Sequence, residues 1–250
     1  MISGTLLNEV LAAGGLTTLF QPIFEMHPEG RALFAVEALS RGPHGSNAER
    51  ADVLFEYVRR KGKETEIDRA CTLAALKAAA NSSLECAISI NVHAATLEHD
   101  EGWVDFITDA CATSGLALGR LILEIVEQQK YWDERRFFNV IDRLRACGVR
   151  IAVDDIGLGY SNYRLLTEIR PEFLKIDRYF VMGCAEKPEA QAAIESIRLL
   201  AERLGGRVIA EGVETESDLR ALSRLGIRLL QGFLLAPPVP VQHELALCAG

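Results

Sequence analysis

The sequence predicts an α/β protein with a modified (β/α)8 TIM-like barrel, in which the first strand is antiparallel to the rest. Eight short apolar runs have the length and composition of β-strands. Segments with helical periodicity separate most of these runs, and such alternation is typical of a closed barrel of parallel strands. One connection is too short to hold a helix. Together these three observations predict the barrel and its one reversed strand.

The predicted elements follow one another without a linker rich in Pro or Ser. A leading helix over about 5–13 precedes a barrel over about 17–237, and residues 1–250 are expected to form a single domain. The predicted strands are residues 17–24, 33–40, 87–93, 121–125, 149–154, 173–176, 208–211 and 227–233. The predicted helices between them include residues 64–80, 103–113, 132–146, 189–204 and 216–225.

The connection between the first two strands, residues 25–32, determines the direction of the first strand. It contains His27, Pro28 and Gly30 and is rich in turn-forming residues. Parallel neighbours need a crossover of about a dozen or more residues. The first strand is therefore expected to be antiparallel to the second.

The composition excludes several classes of protein. Of the 250 residues, 49% are hydrophobic and 25% are charged, so the chain can form a globular core. The net charge of -8 argues against a protein that binds duplex nucleic acid. No apolar run approaches the roughly 20 residues of a membrane-spanning helix, and the N-terminus lacks the features of a secretory signal. We therefore expect a cytoplasmic protein without membrane insertion.

Polar residues lie where the predicted strands end, which is where (β/α) barrels carry their chemistry. An isolated buried carboxylate costs several kcal/mol unless it is paired or bound to a metal. The converging acids are therefore expected to share cations. In strand order the polar residues are Glu37, Asn91, Glu124 with Glu127, Asp154 with Asp155, Lys175 with Asp177, Glu211 with Glu214, and Gln231.

These residue types suit a hard divalent cation. The six cysteines form no C-x-x-C pair, and oxygen ligands favour Mg²⁺ or Mn²⁺ over zinc. Asp154 and Asp155 could bridge or share a metal pair that promotes an in-line phosphoryl displacement. Glu211 could then accept the proton of the attacking water, and Lys175 could stabilise the nucleophile or the phosphate. Ca²⁺ is expected to inhibit, because its larger and more flexible shell suits such a pair poorly.

Short motifs surround these residues along the chain. Glu37, Ala38 and Leu39, followed by Arg41, form an E-A-L-x-R arrangement. The other motifs are Q-P-I at 21–23, N-V at 91–92, E-I-V-E at 124–127, D-D-I-G-L-G-Y-S at 154–161, L-K-I-D at 174–177, A-E-G-V-E at 210–214 and Q-G-F at 231–233. These motifs resemble those of EAL-type cyclic di-GMP phosphodiesterase domains, a family named after the tripeptide. The resemblance extends from about 19 to 237, and the order and spacing of the motifs make it specific.

The resemblance implies a two-metal site. It assigns Glu37, Asn91, Glu124 and Asp154 to one metal, while Asp155 joins the second.

The resemblance also implies the remaining roles. Lys175 and Glu211 would activate water, and Gln231 would position a metal-bound water or the substrate. Glu127 would anchor the loop after the fifth strand. Gln21 and Arg41 would hold the substrate, Arg41 through phosphate. The implied reaction opens one phosphodiester of cyclic di-GMP to give linear pGpG, and the implied assembly is a homodimer.

The sequence departs from the family pattern in two regions. Val126, Ile156 and Leu158 replace residues that are usually Thr, Phe and Thr, so the loop that supports Asp155 lacks two hydroxyl groups and a ring. Residues 42–68 lack the family's common F-I-P-x-A-E stretch, so substrate contacts from this segment are undefined.

Two other functions are compatible with part of the pattern. A degenerate receptor would bind cyclic di-GMP without hydrolysis and signal through a protein partner, but such receptors typically lose metal ligands or the general base. An unrelated Mg²⁺ barrel enzyme acting on an enolisable acid would also use carboxylates at strand ends. The ordered motifs favour the phosphodiesterase.

Overall fold

The computed structural model describes residues 3–12, 14–126, 134–157 and 163–241. Within these ranges the eight strands are β1 Thr17–His27, β2 Gly30–Arg41, β3 Ala87–His93, β4 Leu121–Val126, β5 Arg150–Ile156, β6 Phe173–Ile176, β7 Arg207–Ala210 and β8 Leu229–Leu230. The α-helices are α1 Ser3–Leu11, α2 Ala51–Lys61, α3 Glu64–Ala80, α4 Ala94–His99, α5 Trp103–Ser114, α6 Glu134–Ala146, α7 Tyr163–Ile169, α8 Arg178–Val181, α9 Pro188–Leu204 and α10 Glu216–Arg224.

The strands close into one barrel in the order β1 to β8. β1 is antiparallel to both of its neighbours, β2 and β8, and the other adjacent pairs are parallel. His27 pairs with Gly30, so Pro28 and Glu29 form a two-residue hairpin connection. This arrangement confirms the predicted barrel with a reversed first strand.

The structure differs from the sequence prediction at several boundaries. The eighth strand is shorter than predicted because the backbone turns after Leu230, where Val213 N donates to Gln231 O and Gln231 N donates to Ala210 O. Helix α2 was not predicted from the sequence, although it has a buried side formed by Leu54 and Val58. The leading helix is Ser3–Leu11.

Two layers of side chains fill the barrel interior. The lower layer is apolar and takes one residue from each strand: Ile23, Ala35, Ala87, Ile122, Ala152, Phe173, Ile209 and Leu229. Because side chains alternate across a strand, the residues two positions further on face the same interior. On β2 to β6 these positions are Glu37, Ser89, Glu124, Asp154 and Lys175, and directly after the ends of β7 and β8 they are Glu211 and Gln231. On the reversed strand β1 the matching position is Gln21, two residues before Ile23. The apolar layer thus supports a polar layer.

A larger apolar core lies outside the barrel, between the sheet and the helices. On β3, Ile88, Ile90 and Val92 face outward, and Trp103 of α5 and Phe137 of α6 are completely buried in the same core. This packing fixes the strands from outside, so the polar residues inside are held on a rigid scaffold. No helix in the described ranges is both long and apolar enough to cross a membrane.

Candidate active site

Lys175 lies among four carboxylates at the centre of the polar layer. Its Nζ is 2.5 Å from Glu211 Oε1, 2.7 Å from Glu124 Oε2, 3.3 Å from Glu37 Oε2 and 3.7 Å from Asp154 Oδ1. Lys175 and Glu124 are almost fully buried. The four acids come from four different strands or strand ends, so the barrel brings together the residues that the sequence analysis selected.

The carboxylates outnumber the ammonium, and their pKa values reflect this imbalance. Burial opposes the charge of Lys175, but the negative charges of Asp154 and Glu124 outweigh burial and raise its pKa well above the usual value. Burial and then repulsion from Glu37 raise the pKa of Glu124 to about 8. Burial also raises the pKa of Glu211 and Asp154. An additional cation would favour the ionised form of these acids.

Glu37 is held by a row of amide side chains. Burial raises its pKa, but the Lys175 charge and hydrogen bonds from Asn91 and Gln231 outweigh burial and lower it. Asn91 Nδ2 donates to Glu37 Oε1 at 3.0 Å, and Gln231 Nε2 donates to Glu37 Oε2 at 2.8 Å. Gln231 Nε2 also lies 3.1 Å from Gln21 Oε1. Gln21 Nε2 in turn donates to the Ala236 carbonyl at 3.2 Å. Gln21 therefore lies behind Gln231 and supports it.

Asp155 is next to the cluster but has a different environment. Its side chain is partly exposed and lies outside the set of acids that contact Lys175. Its φ of 56° lies in the left-handed region, which non-glycine residues rarely adopt. Its backbone N–H donates to Asp154 Oδ1 at 2.8 Å. Partial burial and the charge of Asp154 raise the pKa of Asp155 to about 6.

Gly157 lets the chain leave β5 closely against helix α8. Its φ is 105°, and a Cβ atom at this position would overlap the ring of Phe180. Glycine is therefore required both by the backbone and by the close approach. The predicted loop contributor Leu158 and the predicted loop anchor Glu127 lie outside the described residues.

Arg41 lies at the rim of the barrel, beside the cluster. Its Nη1 donates to the Ser40 carbonyl at 3.0 Å. Arg41, Asn91, Phe55 and Glu56 are among the residues that line a cavity of about 410 Å³ between β2, β3 and α2. The cavity adjoins Asn91, so the segment that departs from the family pattern forms a wall next to the cluster.

One residue of the polar layer, Ser89, is not among the residues predicted from the sequence. It is completely buried on β3, and its Oγ lies 2.5 Å from Glu124 Oε1. The signal was available, since Ser89 precedes Asn91 by two residues and shares its inward face. A serine in an apolar strand resembles a neutral filler, which is why it was not selected.

The donor set suits a hard cation, although the side chains as placed enclose Lys175. In the described part of the chain, no three His, Cys, Asp or Glu side chains are spaced to hold a metal ion as they stand. The available donors are carboxylate and amide oxygens, the ligands that Mg²⁺ and Mn²⁺ prefer. Gln231 Oε1 and Glu211 Oε1 are buried without a hydrogen bond, even though the latter is in contact with Lys175. These oxygens give the site free acceptor capacity.

The chain matches a known protein family over most of its length. The family model described as the EAL domain matches residues 5–238. The chain belongs to the EAL domain family. The bifunctional diguanylate cyclase/cyclic di-GMP phosphodiesterase MucR of Pseudomonas aeruginosa is 37% identical over 159 residues, which are 64% of this chain and 23% of that protein. This EAL domain spans about a quarter of the length of the curated relatives it matches first.

Solved EAL structures have the same architecture. The structure named PaMucR phosphodiesterase, c-di-GMP complex, matches with a TM-score of 0.85 and 29% identity, covering 98% of this EAL domain and all of that chain. BlrP1 from Klebsiella pneumoniae, solved with manganese and cyclic di-GMP, matches with a TM-score of 0.80 and 29% identity over 90% of this chain and 56% of that one. BlrP1 has also been solved with calcium and cyclic di-GMP.

Proposed function

We propose that this EAL domain is a metal-dependent phosphodiesterase that hydrolyses cyclic di-GMP to linear pGpG. The observation that carries the proposal is the contact between Lys175 and Glu211, among carboxylates that come from four barrel strands or strand ends. Membership of the EAL family and the names of its phosphodiesterase relatives support the choice of substrate.

Glu37, Asn91, Glu124 and Asp154 would hold one metal ion, and Asp155 would join in holding a second. Mg²⁺ and Mn²⁺ are the proposed ions, and Ca²⁺ is proposed to inhibit. A divalent ion in this position would act as a Lewis acid, promote ionisation of water and offset phosphate charge. The excess of carboxylate over ammonium supports the binding of a further cation at this cluster.

Glu211 is the proposed general base. Its Oε1 is buried at the mouth of the barrel, and its one donor among the described residues is the Lys175 ammonium. A carboxylate in this position can accept the proton of an attacking water. Lys175 would hold that water and stabilise negative charge as it develops on the phosphate, because its ammonium is fixed in advance by its acidic neighbours.

Arg41, Gln21 and Gln231 are the proposed substrate contacts. The guanidinium of Arg41 at the rim can donate two hydrogen bonds to a phosphate. Gln231 would position substrate or water through its free Oε1, and Gln21 would contact the substrate while its Oε1 accepts a hydrogen bond from the Gln231 amide. Water attack at phosphorus forms one P–O bond and breaks the P–O3′ bond of one phosphodiester. The 3′ oxygen leaves as a hydroxyl after it gains a proton, which gives pGpG.

The surroundings of the enzyme are proposed from the same family membership. Residues 1–250 would form one domain, with Glu127 anchoring the loop after β5, and the domain would act as a homodimer in the cytoplasm. The partner is cyclic di-GMP, with no duplex nucleic acid and no membrane insertion.

The experiment that tests this function measures nucleotides after incubation with cyclic di-GMP. The protein is treated with chelator, divided and supplied with Mg²⁺, Mn²⁺, Ca²⁺ or no metal, and the nucleotides are separated. Product is expected with Mg²⁺ and Mn²⁺ alone. Bound cyclic di-GMP without product under either ion would instead indicate the receptor.

A further inference from the structure

Ser89 occupies a position in the barrel interior that none of the proposed roles uses. It lies on β3 between Ala87 of the apolar layer and Asn91 at the mouth. Its side chain is completely buried, and it is paired across the sheet with Glu37 of β2. The hydroxyl group therefore lies in the polar layer, next to the carboxylate cluster.

The hydroxyl of Ser89 is bonded mainly to one carboxylate oxygen. Ser89 Oγ donates to Glu124 Oε1 at 2.5 Å, whereas the Ile122 carbonyl is 3.5 Å away, at the limit of a hydrogen bond. Hydrogen bonds from hydroxyl groups to carboxylates are short and strong. A buried serine on a strand can donate its hydroxyl hydrogen to a backbone carbonyl of the neighbouring strand, here that of Ile122. The shorter distance shows that Ser89 donates to the Glu124 carboxylate instead.

The two oxygens of Glu124 thus have separate partners. Ser89 of β3 holds Oε1, and Lys175 of β6 contacts Oε2 at 2.7 Å. A carboxylate held at one oxygen cannot rotate freely, so its other oxygen keeps its direction toward the cluster. Groups that fix a ligand in this way typically contribute about 10- to 100-fold in metal affinity or activity.

We infer that Ser89 is a positioning residue, whose hydrogen bond orients Glu124 for divalent metal binding. The inference rests on the proposed function, because it takes Glu124 as a metal ligand. Removing the hydroxyl would leave Glu124 Oε1 buried and without a donor. The carboxylate would then turn or take up a proton, and either change weakens metal binding.

The variants Ser89→Ala and Ser89→Thr separate positioning from packing. Ser89→Ala removes the donor, whereas Ser89→Thr keeps a hydroxyl group on a residue that suits a strand. Thr72→Val is the matched control, because Thr72 is equally buried and its hydroxyl has no hydrogen-bond partner in the structure. If Ser89→Ala fails to fold, Ser89→Cys takes its place in the experiment, because cysteine keeps a side chain of similar size with a weaker hydrogen-bond donor.

The experiment measures Mn²⁺ binding to each chelator-treated protein in the absence of nucleotide. Binding is detected by calorimetry or from the electron paramagnetic resonance signal of free Mn²⁺. Ser89→Ala is expected to weaken binding about 10- to 100-fold. Ser89→Thr should recover most of the affinity, and Thr72→Val should bind like the wild type. In a Glu124→Gln background, Ser89→Ala should have little further effect if it acts through Glu124.

Two results would overturn the inference. If the wild type binds Mn²⁺ and Ser89→Ala binds it within about twofold, Ser89 has only a packing role and the proposed function stands. If the wild type itself binds no Mn²⁺, the proposed metal site fails and the inference fails with it. The wild-type titration therefore distinguishes the two failures.

Discussion

Nζ of Lys175 and Oε1 of Glu211 lie 2.5 Å apart, at the point where β6 and β7 open into the mouth of the barrel. The lysine is buried with acids on several sides, while the glutamate is half-buried and its Oε1 has no donor other than the Lys175 ammonium among the described residues. A fixed cation beside a carboxylate with free acceptor capacity is suited to holding a water molecule and taking its proton.

Glu211→Gln should abolish most of the turnover while leaving cyclic di-GMP bound. Glutamine keeps the shape of the side chain but cannot accept the proton, so kcat is expected to fall about 10²- to 10⁴-fold. The substrate Kd, measured by calorimetry with Ca²⁺ present, should change little. The control is Glu214→Gln, three residues further along the chain and exposed. Near-normal turnover by Glu211→Gln would remove Glu211 from this role.

Glu37→Ala should act on metal binding first. Glu37 accepts hydrogen bonds from Asn91 and Gln231 and contacts Lys175, so its loss removes a proposed metal ligand and frees the groups that orient around it. We expect Mn²⁺ affinity to fall by at least about 10-fold and substrate affinity to fall with it. Titration of Mn²⁺ at several nucleotide concentrations measures both quantities. Unchanged Mn²⁺ affinity with reduced turnover would assign Glu37 to the substrate instead.

The metal-free protein should lose stability as pH rises. Burial and repulsion from Glu37 raise the pKa of Glu124 from 4.5 to about 8, so the folded state keeps a proton that the unfolded chain has released. The resulting stabilisation is complete below pH 4.5 and is lost as pH rises to about 8. The raised pKa values of Asp154 and Glu211 act in the same direction, whereas the shifts of Glu37 and Lys175 act outside this window.

Melting temperatures in chelator, measured across that pH range, test this sign. They should decrease with pH, and saturating Mn²⁺ should reverse the decrease because it binds the ionised acids. The Glu124→Gln variant has no titrating proton at this position, so its melting temperature should depend less on pH. A metal-free melting temperature that rises over the same range contradicts the account.

Gly157→Ala should disturb the end of β5 more than its backbone angle alone requires. The added Cβ would collide with the Phe180 ring in a left-handed backbone. We expect a loss of roughly 1–3 kcal/mol in the free energy of unfolding. Gly205→Ala is the matched control, since Gly205 has a φ of 83° but no atom within 4 Å of the place that a Cβ would take. Equal losses for the two variants, measured by urea unfolding, would show that the Phe180 contact is unimportant.

Much of this architecture could be predicted from the sequence because strands alternate with a period of two. That period places Glu37, Glu124 and Lys175 on the inward face, and the short connection around Pro28 requires a hairpin. The period does not give distances across the barrel. That Lys175 reaches four acids depends on how the strands are staggered around the barrel, which no local pattern encodes.

Other features were missed for local reasons. Ser89 is an ordinary small residue in an apolar strand, and only its proximity to Glu124 gives it significance. Asp155 has a left-handed backbone, which its place next to Asp154 in the sequence does not indicate. Helix α2 follows a segment rich in Gly, Pro and Ser that resembles a loop. Its buried side, formed by Leu54 and Val58, is evident only when the helix packs against the rest of the domain. Tertiary contacts determine all three features.

The central claim is that water attacks one phosphodiester of cyclic di-GMP in this barrel, and product formed in ¹⁸O-enriched water tests it most directly. Chelator-treated protein is loaded with Mn²⁺ and mixed with cyclic di-GMP in that solvent. The nucleotides are then separated, and their masses are determined by mass spectrometry. The account predicts linear pGpG with one ¹⁸O atom in its terminal phosphate, formed with Mn²⁺ or Mg²⁺ and suppressed by chelator and by Glu211→Gln. Recovery of intact cyclic di-GMP, still bound by the protein under either ion, would contradict it.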